Sequence, residues 1–256
     1  MIIFVENYRL RYFIELSYLG KNYHGWQLQP NAVSVQEIIE KALSLLLKNT
    51  IKIVGAGRTD TGVHARQMYA HFDVEKSQDT HQLKNKLNSF LPFDIAIHQI
   101  IPVVDQAHAR FDAVQRSYQY FIHQEKNPFI EDTSYLITKK LDIEVMNKAA
   151  KLLLSFKDFK SFSKTHTDVK TYICKIENAK WEVIDNQLVF SISADRFLRN
   201  MVRAIVGTIL DVGLHKISVD EFVSIIEARN RQKAGFSVPG KALFLTKIKY
   251  PPQIYK

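Results

Sequence analysis

In the stretch GAGRTDTGVHA, residues 55–65, a single carboxylate, Asp60, follows Arg58 by two positions and precedes Gly62 by two. An aspartate in a glycine-punctuated turn can serve as half of an acid dyad, act as a nucleophile, or cap its own turn as an Asx residue. The triplet Asp60-Thr61-Gly62 is the local signature of an aspartic protease. A protease dyad, however, needs two carboxylates sharing one proton, and a nearby arginine favours the ionised form instead. Only one Asp-Thr-Gly occurs in the chain, so a protease would require two copies of it. Gly55-Ala56-Gly57 starts like a phosphate-cradling loop. A dinucleotide fingerprint then needs a third glycine opening a helix, and a P-loop needs Gly-Lys-Ser/Thr, where this chain has Arg58-Thr59-Asp60. A lone ionised carboxylate remains, as nucleophile or as turn cap.

Composition narrows the partner. The 256 residues are long enough for one large domain or two halves, and 46% apolar with 24% charged residues describes a soluble globular chain. Thirty-five basic against 26 acidic side chains give a net charge of +9, which points to a polyanion, nucleic acid first. The single cysteine, Cys174, excludes an internal disulfide and a thiolate metal cluster and fits a reducing cytoplasm. Nine histidines include no HExxH pair, and His64 and His71, an odd number apart, point to opposite faces of one strand; no metal is expected. The start MIIFVENYRLR is broken by charge too early for a signal peptide. The apolar run MVRAIVGTILDVGL is interrupted by Arg203 and Asp211, short of the roughly 20 residues of a membrane span. A cytoplasmic protein without a membrane partner is predicted.

The elements that must hold Asp60 can be read from periodicity. RYFIELSY, residues 11–18, alternates as a strand, and Ser34-Val35-Gln36-Glu37 reads as a capping box opening a helix to about Leu47. Strands at IKIVGAG and VHARQMYAHFDV flank the turn, so Asp60 joins two β segments. A short helix from about His81 to Phe90 precedes the strand IAIHQIIPV. The second half offers a strand at SYQYFIH, a helix from about Ile143 to Ser155, a hairpin turning at Asp185-Asn186 and a long helix from about Arg196 to Val212. A capped helix starts at Ser218, and a last strand ALFLTKIKY follows. The mixture predicts an α+β fold: a largely antiparallel mixed sheet built from two similar α/β halves, with helices on one face and the active-site cleft between the halves. Pro102 and a polar switch put the division near residue 105, giving 1–105 with the aspartate loop and 106–256 completing the site. No internal sequence repeat or low-complexity linker is found.

Several fragments, taken in order, resemble one family. GAGRTDTGVHA is similar to the catalytic motif of the TruA family of tRNA pseudouridine synthases, approximately GxGRTDxGVHA. YxGxxYxGWQ is matched by residues 18–27, HARF and a following RxYxY by residues 108–120, NMVRxIVG by residues 200–207, and the closing LxL with a basic strand ending YP by residues 242–251. Two departures stand out. Ala242 replaces a glycine common before the LxL, and SFSKTHTDVKTYICKI, within residues 160–176, matches only loosely.

The resemblance implies isomerisation of uridine to pseudouridine in the anticodon stem-loop of tRNA, with no cofactor, by a homodimer. Asp60 matches the family's aspartate nucleophile; whether it attacks the sugar or the base stays open. Arg58 would position the nucleotide, Tyr118 would stack on the extruded uracil and relay a proton, and Arg110 and Arg116 would bind substrate. Leu243 and Leu245 resemble the apolar wall of the pocket, although two leucines on one strand face are core in most proteins, and Tyr120 is read as core. Arg203 matches the arginine of MVRxIVG. On a helical wheel it stands at the shoulder of the apolar arc Leu198, Met201, Val202, Ile205, Val206 and Ile209, where partial burial would demand a carboxylate partner, assigned to Asp60; the alternative is a snorkelling arginine whose stem covers the core while its head meets solvent. The competing reading is a non-catalytic RNA-binding module or tRNA chaperone on the same scaffold.

Overall fold

The computed structural model describes residues 9–165 and 169–256. MIIFVENY, read above against a signal peptide, and residues 166–168 of the loosely matching segment lie outside them. The chain divides into two compact units: one holds the residues up to Thr61, Ala65–Val114 and Ile248–Lys256, the other Gly62–His64 and Gln115–Lys247.

In the first unit, β1 (Leu10–Tyr18) is followed by α1 (Val35–Leu47), β2 (Val54–Gly55), from Ala65 onward β3 (His64–Val74), α2 (Thr80–Phe90) and β4 (Ile95–Pro102). β1 lies between β3 and β4 and is antiparallel to both, with Ile14 opposite Ala70 on one side and Ile100 on the other. The alternation of RYFIELSY places Ile14 and Leu16 on one face, and both are fully buried. Ser34 caps α1 by accepting the Glu37 N–H at 3.3 Å, while Glu37 turns its carboxylate to Lys41 one turn on.

Pairing at IKIVGAG is shorter than its sequence predicts. It is confined to Val54 and Gly55, opposite His71 and Ala70. The backbone just before is diverted to α1: the Ile51 N–H donates to Ser44 Oγ at 2.9 Å and the Ile53 N–H to Glu40 Oε1 at 3.0 Å. Side-chain acceptors there take the place of a strand ladder.

The second unit contains β5 (Gln115–His123), β6 (Tyr135–Leu136), α3 (Ile143–Leu152), β7 (Ile176–Ile184), β8 (Gln187–Ala194), α4 (Met201–Gly213), α5 (Val219–Glu227) and, through Lys247, β9 (Leu243–Lys249). Its strands run in the order β9-β5-β8-β7, with β6 parallel to β5. β7 and β8 form the expected hairpin through Asp185 (φ 48°) and Asn186 (φ 60°), the two left-handed residues that a two-residue turn requires. A full capping box joins Ser218 and Glu221 at the head of α5.

α4 is buried nearly all round; its exceptions are Arg203 and Asp211, the two charges that interrupt its apolar run. It begins five residues later than the sequence predicts. Asp195 Oδ1 accepts the N–H groups of Arg196 (2.7 Å) and Lys175 (2.8 Å), and Asn200 is left-handed at φ 67°, so residues 195–200 wind outside the helix. Leu198 is therefore not part of the helical arc, though it is buried. The last turn predicted for α3 tightens into a 3-10 turn, Leu153–Ser155. Cys174 is fully buried, and burial pushes its thiol up to about 12.

Among the described residues there are nine strands and five α-helices, and the pairing is mixed and mostly antiparallel, as an α+β fold requires. No helix among them is long and apolar enough to cross a membrane.

Candidate active site

The Asp60 turn is built outward from α1. Inside the first unit, Gln36 Nε2 donates to Glu40 Oε1 (2.9 Å) and to the Ile53 carbonyl (3.1 Å), while Glu40 accepts the Ile53 N–H. Gln36 and Glu40 are both buried, so this satisfied polar network fixes the chain just ahead of β2. The Ala56 N–H then donates to the Tyr69 carbonyl at 2.8 Å.

Residues 18–27 form the bed of the turn. Tyr18 Oη and Thr59 Oγ1 are 2.9 Å apart, and the Trp26 N–H donates to the Thr59 carbonyl at 3.3 Å. Gly25 has φ +89°, and a Cβ built on it would lie 2.3 Å from the Thr59 oxygen. A side chain there is excluded both by conformation and by space. At Gly55 an added Cβ would overlap the Trp26 indole at 2.3 Å, so the tryptophan lies directly on the backbone of β2. Gly25 thus lets two backbones meet, and Gly55 lets the indole lie against the approach to the turn.

With Thr59 turned inward and buried, its neighbours point the other way: Arg58 is exposed and Asp60 half-buried. Downstream, Gly62 takes φ +76°, Val63 joins the core of the second unit, and His64 is buried. His64 Nε2 lies 2.8 Å from the Lys241 carbonyl and 3.2 Å from that of Asp132. Burial holds its imidazole below the ordinary histidine range.

The other predicted residues divide between the units. Arg110, in the first, is exposed with its guanidinium 5.6 Å over the Phe111 ring. The rest belong to the second. On β5, Arg116 donates through Nη1 to the Asp195 carbonyl at 2.9 Å, and the half-buried Tyr118 meets Phe197 edge-on at 5.2 Å. Tyr120, two residues on, is fully buried and donates to the Pro239 carbonyl at 3.1 Å, a core residue as predicted. Burial raises its phenol, and the positive charge of Arg203 works against that rise, so the two side chains feel one another. Arg203 is half-buried on α4 and donates through Nε to the Val238 carbonyl at 2.7 Å. Leu243 and Leu245 share one face of β9 and are both buried.

The backbone segment that carries Val238 reaches Arg203 because α4 offers no side chain at Gly207. A Cβ there would lie 1.9 Å from the Phe236 carbonyl oxygen. Arg231 and Asn200 both donate to Ser237 Oγ, at 2.8 and 2.6 Å, and pin the same segment. This supporting layer, like the roles of Tyr18, Gly25 and Trp26 beneath Thr59, escaped the sequence reading. Its only signal was the fixed spacing of YxGxxYxGWQ and NMVRxIVG, which tells that residues matter without telling what they touch. The sequence marks His64 only as a residue to weigh for a metal.

A family model described as tRNA pseudouridine synthase matches residues 16–112 and 149–251. A protein of Parabacteroides distasonis named tRNA pseudouridine synthase A is 54% identical over 246 residues, which is 96% of this chain and 98% of that one. A namesake from Bacteroides fragilis is 54% identical over 248 residues, again 96% and 98%. One from Bacillus subtilis is 40% identical over 239 residues, 92% and 97%. Similarity of this level along nearly the whole length shows that the chain belongs to the TruA family of tRNA pseudouridine synthases, isomerases that convert uridine to pseudouridine.

Proposed function

We propose that this chain converts uridine to pseudouridine on the 3′ side of the anticodon stem-loop of tRNA, with Asp60 as the nucleophile. The observation that carries the reading is the Asp60 turn itself: an unbroken GxGRTDxGVHA motif whose aspartate stays half-exposed while the residue before it is buried and hydrogen-bonded. A nucleophile must be reachable yet held still, and a turn fixed through its backbone and its neighbour meets both needs.

The isomerisation breaks the bond between ribose and the uracil nitrogen and forms one to a ring carbon. A proton leaves that carbon and another is taken up by the freed nitrogen, so no redox partner or energy source is consumed. In this reading Arg58 holds the target nucleotide, Tyr118 stacks on the extruded uracil and moves the proton, and Arg203 pairs with Asp60. Arg110 and Arg116 take up backbone phosphates, while Leu243 and Leu245 wall the pocket. The domain spanning 1–105 brings the nucleophile and that spanning 106–256 completes the site; the enzyme works as a cytoplasmic homodimer. The net charge of +9 supports a polyanionic substrate.

The test is direct. Purified protein is incubated with an unmodified tRNA transcript and no added cofactor, and pseudouridine is mapped by position. Product confined to the 3′ side of the anticodon stem-loop is expected. Tight tRNA binding by folded protein without product would instead favour the non-catalytic RNA-binding module.

A further inference from the structure

We infer that His64 is a positioning residue for Asp60, its Nε2–H fastening the downstream end of the turn to two backbone carbonyls from separate segments, those of Asp132 and Lys241. The inference rests on the reading of Asp60 as nucleophile.

Carbonyl oxygens only accept, so a ring nitrogen within 2.8 Å of one and 3.2 Å of another must carry the hydrogen itself. The imidazole is 1% exposed and lies against the Phe244 ring, with centroids 4.5 Å apart, so it has little room to turn away. The two carbonyls are themselves linked: the Lys241 ammonium pairs with the carboxylate of Glu131, the residue preceding Asp132. Residues 131–132 and 241, more than 100 positions apart, are thus joined to each other and to the ring. Two residues before His64, Gly62 lies so near this knot that a Cβ on it would be 3.7 Å from the Lys241 backbone nitrogen. Upstream, Thr59 is held by Tyr18 and Trp26. Only Asp60 and Thr61 separate the Thr59 attachment from the stretch Gly62–His64. A donor that holds one side of so short a span limits where the carboxylate between the attachments can stand.

The alternative is a core histidine that satisfies two carbonyls and has no bearing on the reaction. His64→Leu and His64→Gln separate the two. Leucine fills the space without a donor; the glutamine amide nitrogen reaches about as far as Nε2 and donates. Each variant is checked for folding by circular dichroism. His64→Leu is expected to lower kcat about 10- to 100-fold with KM for tRNA within about threefold, because a displaced nucleophile harms the chemical step rather than docking. Amide exchange of residues 58–62 in the free protein is expected to quicken. His64→Gln should recover most of both. Should the leucine variant fail to fold, His64→Asn replaces it, since its amide stops short of the carbonyls, and the contrast with His64→Gln decides.

A folded donorless variant with kcat within about twofold of wild type overturns the inference. Equal losses of kcat in the donorless and glutamine variants overturn it as well. Asp60→Asn is assayed alongside, so that failure of the nucleophile reading is seen separately: exchange in the His64 variants reports the tie without any turnover.

Discussion

Tyr18 and Thr59, 41 positions apart in the chain, share a buried 2.9 Å hydrogen bond that joins the end of β1 to the residue immediately before Asp60. Tyr18→Phe removes that bond and leaves a buried threonine hydroxyl to find another partner. The expected loss is about 1 kcal/mol of stability, read by urea denaturation, or a drop of roughly 2–4 °C in Tm. Since Thr59 adjoins the proposed nucleophile, kcat should also fall while tRNA affinity holds. An unchanged kcat in the variant would separate the hydrogen bond from catalysis.

Asp60→Asn is nearly isosteric, so the protein should fold and bind tRNA as before. Turnover should drop by about 10⁴-fold or more, as in other enzymes that lose a nucleophile. Single-turnover assays with tRNA in filter-binding equilibrium measure both quantities, and activity within tenfold of wild type would end the assignment.

Arg203→Met keeps much of the side chain's packing on α4 while removing the charge and the donor to Val238. The variant should remain folded and lose at least about 100-fold in kcat, the scale seen when one electrostatic contact at a reacting group is removed. Near-normal turnover in a folded variant would eliminate the proposed pairing with Asp60. Arg203→Lys, a point charge without the planar fork, should recover only part of the activity.

A pH dependence follows from His71, whose Nδ1 accepts the Ala109 N–H at 3.1 Å and so carries no proton in the folded state. Burial, reinforced by Arg11 and His108, pulls its pKa down to about 4. The unfolded chain takes up a proton near the ordinary histidine value of about 6.5, whereas the folded protein resists until about 4. Stability from this group is therefore complete above about pH 6.5 and is lost progressively as pH falls toward 4. Burial displaces His64, His108 and His123 in the same direction, so part of the loss should persist without His71. Urea titrations of wild type and His71→Leu across that window check the point; a slope as steep in the variant would contradict it.

Affinity for tRNA should fall steeply with salt. For about six phosphate contacts, the loss between roughly 50 and 200 mM salt is on the order of 10³-fold. Salt-independent binding would count against the basic surface as the source of affinity.

What could be read from the sequence was what local chemistry decides. Asp185-Asn186 announced its hairpin because both positions must be left-handed, and Ser218 with Glu221 announced the head of α5 because each satisfies the other's backbone. The strand at IKIVGAG was overestimated because its donors go to Glu40 and Ser44, whose side chains reach it from a helix. The start of α4 was misjudged for a similar reason: Asp195 binds backbone groups on both sides of itself, and Asn200 leaves the right-handed region. Motif spacing alone singled out the proposed site residues Asp60, Arg58, Tyr118 and Arg203. Contacts such as Tyr18 with Thr59, or Phe236 against Gly207, depend on tertiary approach and leave no local mark.

Cys174 has a practical consequence. Fully buried, with its thiol pushed up to about 12, it presents almost no thiolate to solvent at neutral pH. Alkylating agents and mild oxidants should leave the native protein intact. A cysteine introduced at an exposed position such as Leu45 or Val183 would then be the one thiol to take up a fluorophore or spin label, whose signal could follow tRNA binding without first removing the natural residue.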